Sequence, residues 1–126
     1  MKTATGSVTL ELHCLSTQDN SAQLAICGQI NQTFVHPERT TEFEEVVGPD
    51  VWKRTALVDL SDATFVDSCG IGWLISIHKR LEREGGRVVL HSLSPVVHRI
   101  LSMIKLNNVV SIVGSEDDAL RIAQEV

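Results

Sequence analysis

From residue 55 onward, short apolar runs alternate with longer segments in which apolar residues recur at helical spacing. The apolar runs have the length of strands buried on both faces, and polar residues bound them. The strand-like runs cover residues 55–60, 87–91 and 109–113, and the helical segments cover 68–84, 95–104 and 115–124. Short links between such elements imply parallel strands joined by right-handed crossovers. The alternation therefore predicts an α/β fold with helices packed against a sheet.

The first part of the chain has a different pattern, which predicts a β-hairpin. Residues 8–15 partly alternate between apolar and polar side chains, a polar turn covers 17–21, and 23–30 form a second apolar run. A less regular helix is expected over residues 37–47, because proline is well tolerated at a first helical position, here Pro37.

Length and composition predict a single domain over residues 1–126, with residues 1–6 flexible. The chain is 43% hydrophobic and 21% charged, which is typical of a folded domain with one core. The expected architecture is an α/β domain that opens with the hairpin. It has a mixed, mostly parallel sheet of about four or five strands with about four helices packed on it.

Charge and hydropathy exclude several classes of partner. The net charge is −5 and the basic residues form no cluster longer than Lys79-Arg80, whereas nucleic-acid binding depends on clustered Lys and Arg. No segment approaches the roughly 18 apolar residues of a membrane span, and the first residues lack the apolar core of a secretory signal. We therefore expect a cytoplasmic protein that neither binds nucleic acid nor inserts into a membrane.

The nucleophilic and metal-ligating residues do not predict an enzyme. Cys14, Cys27 and Cys69 are odd in number and widely separated, so neither a disulfide framework nor a metal site is expected. The sequence contains no phosphate-binding loop and no convergent set of acid, base and nucleophile. No cofactor is expected. One alternative remains, since a thiol at a helix start can be activated, which would make Cys69 a redox sensor.

The junction between strand and helix at residues 67–70 (DSCG) is the strongest candidate for a functional site. Ser68 is predicted to be the N-cap of the helix, where its hydroxyl would accept a hydrogen bond from a backbone N–H. A phosphate on that hydroxyl would also meet the positive end of the helix dipole. Helix capping alone is the alternative explanation for this serine.

Three segments resemble the STAS family, which comprises the bacterial anti-sigma factor antagonists and the cytoplasmic domains of sulfate transporters. They are residues 67–72 (DSCGIG), 85–90 (GGRVVL) and 93–101 (LSPVVHRIL), and the likeness extends from near Gly28 to about Leu120. In the antagonists, the serine after the aspartate of the first segment is phosphorylated by the partner anti-sigma factor, which is itself a serine kinase. The resemblance implies that Ser68 is that serine and that the nucleotide comes with the partner.

The resemblance also implies a partner-binding surface around this serine. Its expected members are Asn31, Asp67, Ser68, Cys69, Gly70 and Trp73. Asn31 departs from the family pattern, which has an acidic residue there, and so does Cys69, where relatives carry another small residue. Trp73 is predicted to be exposed one turn from Ser68, with packing under a neighbouring element as the alternative.

The sequence thus predicts a non-enzymatic regulator that binds an anti-sigma factor and is released when Ser68 is phosphorylated. Added negative charge would oppose an apolar or acidic contact surface. The alternative from another class is a STAS subunit without a switch, in a lipid-transport ABC system or a stress-signalling complex.

Overall fold

The structure, a computed structural model, describes residues 11–18, 21–31, 44, 48 and 50–124. This part of the chain contains six strands, three α-helices and two 3-10 turns. The strands are β1 (Glu11–Gln18), β2 (Ser21–Ile30), β3 (Thr55–Asp59), β4 (Ala63–Val66), β5 (Arg87–His91) and β6 (Ser111–Val113). The helices are α1 (Ser68–Glu84), α2 (Pro95–Met103) and α3 (Glu116–Gln124), and the 3-10 turns are Val51–Lys53 and Leu106–Asn108.

All six strands belong to one mixed sheet. Its order is β1-β2-β3-β5-β6, and β4 pairs with the end of β2 beyond β3. β1 is antiparallel to β2, whereas the other pairs are parallel. The predicted hairpin and the α/β arrangement are therefore confirmed. The hairpin pairing reaches Gln18 and Ser21, into the segment expected to be a turn.

The sheet has one strand more than the sequence predicts. β4 is four residues long, and only its first and last residues, Ala63 and Val66, are buried. Such a segment has neither the alternation of a half-buried strand nor the continuous apolar run of a fully buried one. The sixth strand begins at Ser111, later than the predicted residue 109, because a 3-10 turn precedes it.

The central strand β3 is buried on both faces, which determines where the helices pack. Ala56 and Val58 belong to the main core, which also contains the buried residues of α1 and α2. Leu57 points to the opposite face, where it packs with Val89 of β5 and Ala119 of α3. Helices therefore cover both sides of the sheet, as the apolar run at 55–60 predicts.

Local chemistry explains two of the helix ends. α1 ends at Gly85, whose φ of 99° is the left-handed conformation that glycine adopts readily. Ser115 caps α3, since its hydroxyl accepts the N–H of Asp118 at 3.2 Å. Ser94 precedes α2, but its hydroxyl donates to the carbonyl oxygen of Ala63 at 2.6 Å and so holds α2 against β4.

Some expectations concern parts of the chain that lie outside the described residues. These are the segment 1–10 and, apart from Glu44, the helix predicted over 37–47. None of the helices that are described is long and apolar enough to cross a bilayer.

His91, the last residue of β5, is a buried polar side chain near the carboxyl end of the sheet. Its side chain is 2% exposed, and its Nδ1 lies 2.8 Å from the hydroxyl oxygen of Ser92. Burial lowers the pKa of the imidazole below its ordinary value of 6.5, although the carboxylates of Asp59 and Glu116 act in the opposite direction.

We expect the free energy of unfolding to fall as the pH drops below about 6.5, because the unfolded chain then binds a proton at residue 91 more readily than the folded chain. Denaturant unfolding of the wild type and of His91→Gln, from about pH 7.5 to about pH 5, measures this difference. The His91→Gln protein should lose less stability over that range. The exposed His98 supplies a control substitution, His98→Gln, for the loss of a histidine outside the core. Identical pH profiles for wild type and His91→Gln would contradict the assignment.

Candidate functional site

The site lies where β2 and β4 end side by side. Their register pairs Gln29 with Phe65 and Ile30 with Val66. One residue later, the N–H of Asp67 donates to the carbonyl oxygen of Ile30 at 3.2 Å. Asn31, which follows Ile30, is therefore next to the start of α1. Ser68 and the end of the second strand are neighbours, as the family resemblance implies.

Asp67, and not Ser68, is the N-cap of α1. Its backbone is extended, and its carboxylate accepts the N–H of Gly70 at 2.9 Å. The expectation that Ser68 caps the helix is therefore wrong. Both residue types cap helices well, and the extended path of β4 ends at Asp67, so the helix begins at Ser68, one residue earlier than a cap at Ser68 would require. Ser68 is the first helical residue and is exposed.

Gly70 allows the first turn of α1 to lie directly on the end of β2. A Cβ atom at this position would be 2.0 Å from the carbonyl oxygen of Ile30 and 2.8 Å from Cγ2 of Val66. A Cβ atom at Gly72 would meet nothing within 4 Å. Close packing is thus the reason for glycine at position 70, and it has no counterpart at position 72.

The amino end of α1 combines backbone donors with one carboxylate. The first N–H groups of an α-helix have no partner within the helix, and the Asp67 carboxylate accepts the one from Gly70. An anion on Ser68 would be attracted by the helix dipole and repelled by the Asp67 carboxylate. At an exposed site each effect is on the order of 1 kcal/mol. The helix can therefore carry a phosphate without large net strain.

Cys69 is an exposed free thiol next to Ser68. Among the described residues, no group of three or more His, Cys, Asp or Glu is placed to hold a metal ion. Asn31 lies at the same edge, and its amide donates to the side-chain oxygen of Gln29 at 3.1 Å. The end of β2 therefore presents two side-chain amides close to the start of α1.

Trp73 is buried in the core, so the expectation that it is exposed is wrong. Its side chain is only 5% exposed. The buried face of α1 consists of Gly70, Trp73, Leu74, Ile77 and Leu81. This face is rotated from the one that helical spacing in the sequence predicts, which consists of Ile71, Leu74, Ile75, His78 and Leu81. The helix packs against the Val51–Lys53 turn. The alternative expectation for Trp73, packing under a neighbouring element, therefore holds.

Phe65 is a feature of the site to which the sequence analysis gave no role. It is 43% exposed and lies opposite Gln29, two residues before the helix cap. Val66, the next residue, is buried, and neighbouring side chains of a strand point to opposite faces, which directs Phe65 away from the core at this end of β4. Because β4 as a whole does not alternate, its sequence contains no clear signal for this exposure. An exposed phenylalanine beside Ser68 is an apolar contact point at this edge.

We expect Gly70→Ala to lower the free energy of unfolding by roughly 3 kcal/mol, because the added methyl group would overlap a backbone oxygen that cannot move aside. Gly72→Ala is the matched control in the same helical turn. It should raise stability by about 0.5 to 1 kcal/mol, since alanine is the better helix former and the space is open. Urea unfolding of the three proteins measures both values. Equal effects of the two substitutions would refute the close contact.

Comparison with known proteins identifies the family. Residues 38–119 match the model of the STAS domain. The Anti-sigma F factor antagonist of Paenibacillus polymyxa is 31% identical over 64 residues, which are 51% of this chain and 55% of that protein. The chain thus aligns with about half the length of this curated relative.

Solved structures share the fold at low sequence identity. An anti-sigma factor antagonist from Mycobacterium paratuberculosis superposes with a TM-score of 0.73 at 22% identity, covering 98% of this chain and 99% of that one. The Bacillus cell fate determinant SpoIIAA in its phosphorylated form gives a TM-score of 0.58 at 19% identity, covering 90% and 97%. The strand and helix order described above is therefore that of known antagonists. Since the family model matches well over half of its length, the chain belongs to the STAS domain family.

Proposed function

We propose that this protein is a cytoplasmic regulator of the anti-sigma factor antagonist type. In its unmodified form it binds an anti-sigma factor through the edge formed by the ends of β2 and β4 and the start of α1. Phosphorylation of Ser68 by that partner, a serine kinase, releases it. The observation that carries the proposal is the position of Ser68, which is exposed at the first residue of α1 while Asp67 holds the cap.

Asp67 caps the helix and Ser68 does not, which supports a reversible modification of the serine. The cap hydrogen bond joins the Asp67 carboxylate to the N–H of Gly70 and does not involve the serine hydroxyl. A kinase can therefore reach that hydroxyl without unwinding the helix. Phosphate added there leaves the cap in place, so the modification changes the surface and not the fold.

The composition of the edge explains why phosphate would release a partner. The unmodified edge offers the exposed Phe65 and the amides of Gln29 and Asn31, a surface that a partner can desolvate at low cost. A phosphoserine carries about −1.5 to −2 charges near neutral pH. Covering that charge beside the Asp67 carboxylate would be unfavourable, and more so on a chain whose net charge is already −5.

Similarity to known proteins agrees with this proposal. One relative is an Anti-sigma F factor antagonist, and a structure of the same fold, SpoIIAA, is known in a phosphorylated form. The amide at Asn31, where the family pattern has an acidic residue, makes the edge less negative and favours accommodation of a phosphate. In this proposal the chain has no catalytic residue of its own, and ATP is bound by the partner.

Protein isolated from its native cells with phosphatase inhibitors should carry phosphate on Ser68, as peptide mass spectrometry can determine. Ser61 is a second exposed serine and supplies the control. Ser68→Ala should abolish the modification, whereas Ser61→Ala should leave it unchanged. Ser68→Asp should weaken binding of the kinase recovered from the same cells by at least about tenfold, and Ser61→Asp should not.

Phosphate retained by the Ser68→Ala protein would refute the site. A Ser68→Asp protein that binds as tightly as the wild type would refute the switch. In that case the alternative, a STAS subunit without a switch in a larger assembly, would explain the fold better.

The exposed phenylalanine gives an independent test of the partner surface. Phe65→Ala should weaken partner binding about tenfold or more, because truncated aromatic anchors commonly lose over 1.4 kcal/mol. Its thermal stability should change little, since the ring is 43% exposed. Titration calorimetry with the recovered kinase measures the first quantity and a melting curve the second. Unchanged affinity would remove Phe65 from the interface.

A further inference from the structure

The outer side of α2 and the turn after it form an exposed apolar surface that the proposed function does not use. We call it the α2 face. Its apolar members are Val96, Met103, Ile104 and Val109, with exposed fractions of 49%, 70%, 46% and 51%. Among the described residues, Phe65 is the one other large hydrophobic side chain recorded as exposed. Exposed apolar residues concentrated on one helix and its following turn are typical of a docking surface.

A shallow groove lies beside the α2 face, and Met103 belongs to both. One cleft of about 570 Å³ is lined by Leu93, Pro95, His98, Arg99, Ser102 and Met103. A second cleft of about 350 Å³ adjoins it and shares Leu93, His98 and Ser102, and it reaches Asn107 and Ile112. The two clefts together form this groove along α2.

The segment that contains the α2 face, residues 85–115, has a positive net charge, whereas the whole chain has a negative one. Residues 85–115 contain none of the 16 acidic residues, although the net charge of the protein is −5. The exposed charged side chains beside the groove are Arg99 and Lys105. An acidic partner is therefore attracted to the α2 face and repelled by most of the remaining surface.

We propose that the α2 face is a docking site for an amphipathic helix of a partner protein, with acidic residues flanking its apolar stripe. Apolar side chains at helical spacing pack on the exposed Val96 and Met103 beside the groove, and carboxylates pair with Arg99 and Lys105. A bilayer is a poorer fit, because two basic residues contribute only about 1 kcal/mol each at an anionic membrane. This site goes beyond the proposed function, since it does not involve Ser68.

The site can be tested with a synthetic helical peptide that has leucines at i, i+3, i+4 and i+7 and glutamates on either side. A matched peptide has lysine in place of every glutamate. Titrated into the isotope-labelled full chain, the acidic peptide should cause saturable NMR shift changes centred on Val96, Arg99 and Met103. The lysine peptide should bind at least about tenfold more weakly.

Variants of the protein separate the charged and apolar contributions. Arg99→Glu combined with Lys105→Glu should reverse the preference between the two peptides, whereas Lys53→Glu, at an exposed lysine outside the face, should not. Met103→Ser should weaken binding of the acidic peptide without lowering the melting temperature, because this side chain is 70% exposed. Ser68→Asp should leave peptide affinity unchanged, which separates this test from that of the phosphorylation switch.

Three results would overturn the proposal. The first is equal binding of the acidic and lysine peptides. The second is the absence of saturable shift changes on α2. The third is co-sedimentation of the protein with phosphatidylserine vesicles in the absence of peptide binding, which would assign the α2 face to a membrane surface.

Discussion

One carbonyl oxygen, that of Ile30, positions the amino end of α1. It accepts the N–H of Asp67, and the glycine at position 70 lets the helix backbone lie against it. The cap residue Asp67 and the helical residue Gly70 thus both contact the last residue of β2. The rest of the site follows from this contact. With Gly70 on the inward side, Ser68 and Cys69 must lie on the outward side of the same turn. The buried row that begins at Gly70 continues through Trp73 and Ile77 into the core.

The parallel part of the sheet was predictable because its central strands are buried on both faces. The runs that became β3 and β5 each contain three consecutive apolar residues, at positions 56–58 and 88–90, so side chains on both faces of these strands are apolar whichever neighbour covers them. β4 has no continuous apolar run that is buried on both faces. It is short and half exposed, and it is a strand because β2 extends past β3 and offers it a pairing edge. This pairing depends on the length of β2, which is distant in sequence, and the residue pattern within β4 does not indicate it.

The sequence predicted which segments meet at the candidate site, but not their detailed geometry. The motif at residues 67–70 lies at a junction between strand and helix, and Asn31 is near it, as the resemblance implies. Which of two adjacent residues caps the helix depends on where the preceding strand stops, and that is set by its pairing with β2. The rotation of α1 was ambiguous for a similar reason. The helix has apolar residues on more than one side, and packing on the Val51–Lys53 turn selects the side that includes Trp73.

The separation of the cap from the serine has a consequence for how such a domain can change over evolutionary time. A side chain at position 70 would overlap a backbone oxygen, and position 67 supplies the oxygen that caps the helix. Position 68 carries no comparable demand, because its side chain points to solvent. A single codon change there can replace serine by another residue while the domain folds as before. In the function proposed above, regulated and permanently active versions of the protein are therefore one codon change apart, and that change passes through no destabilised intermediate.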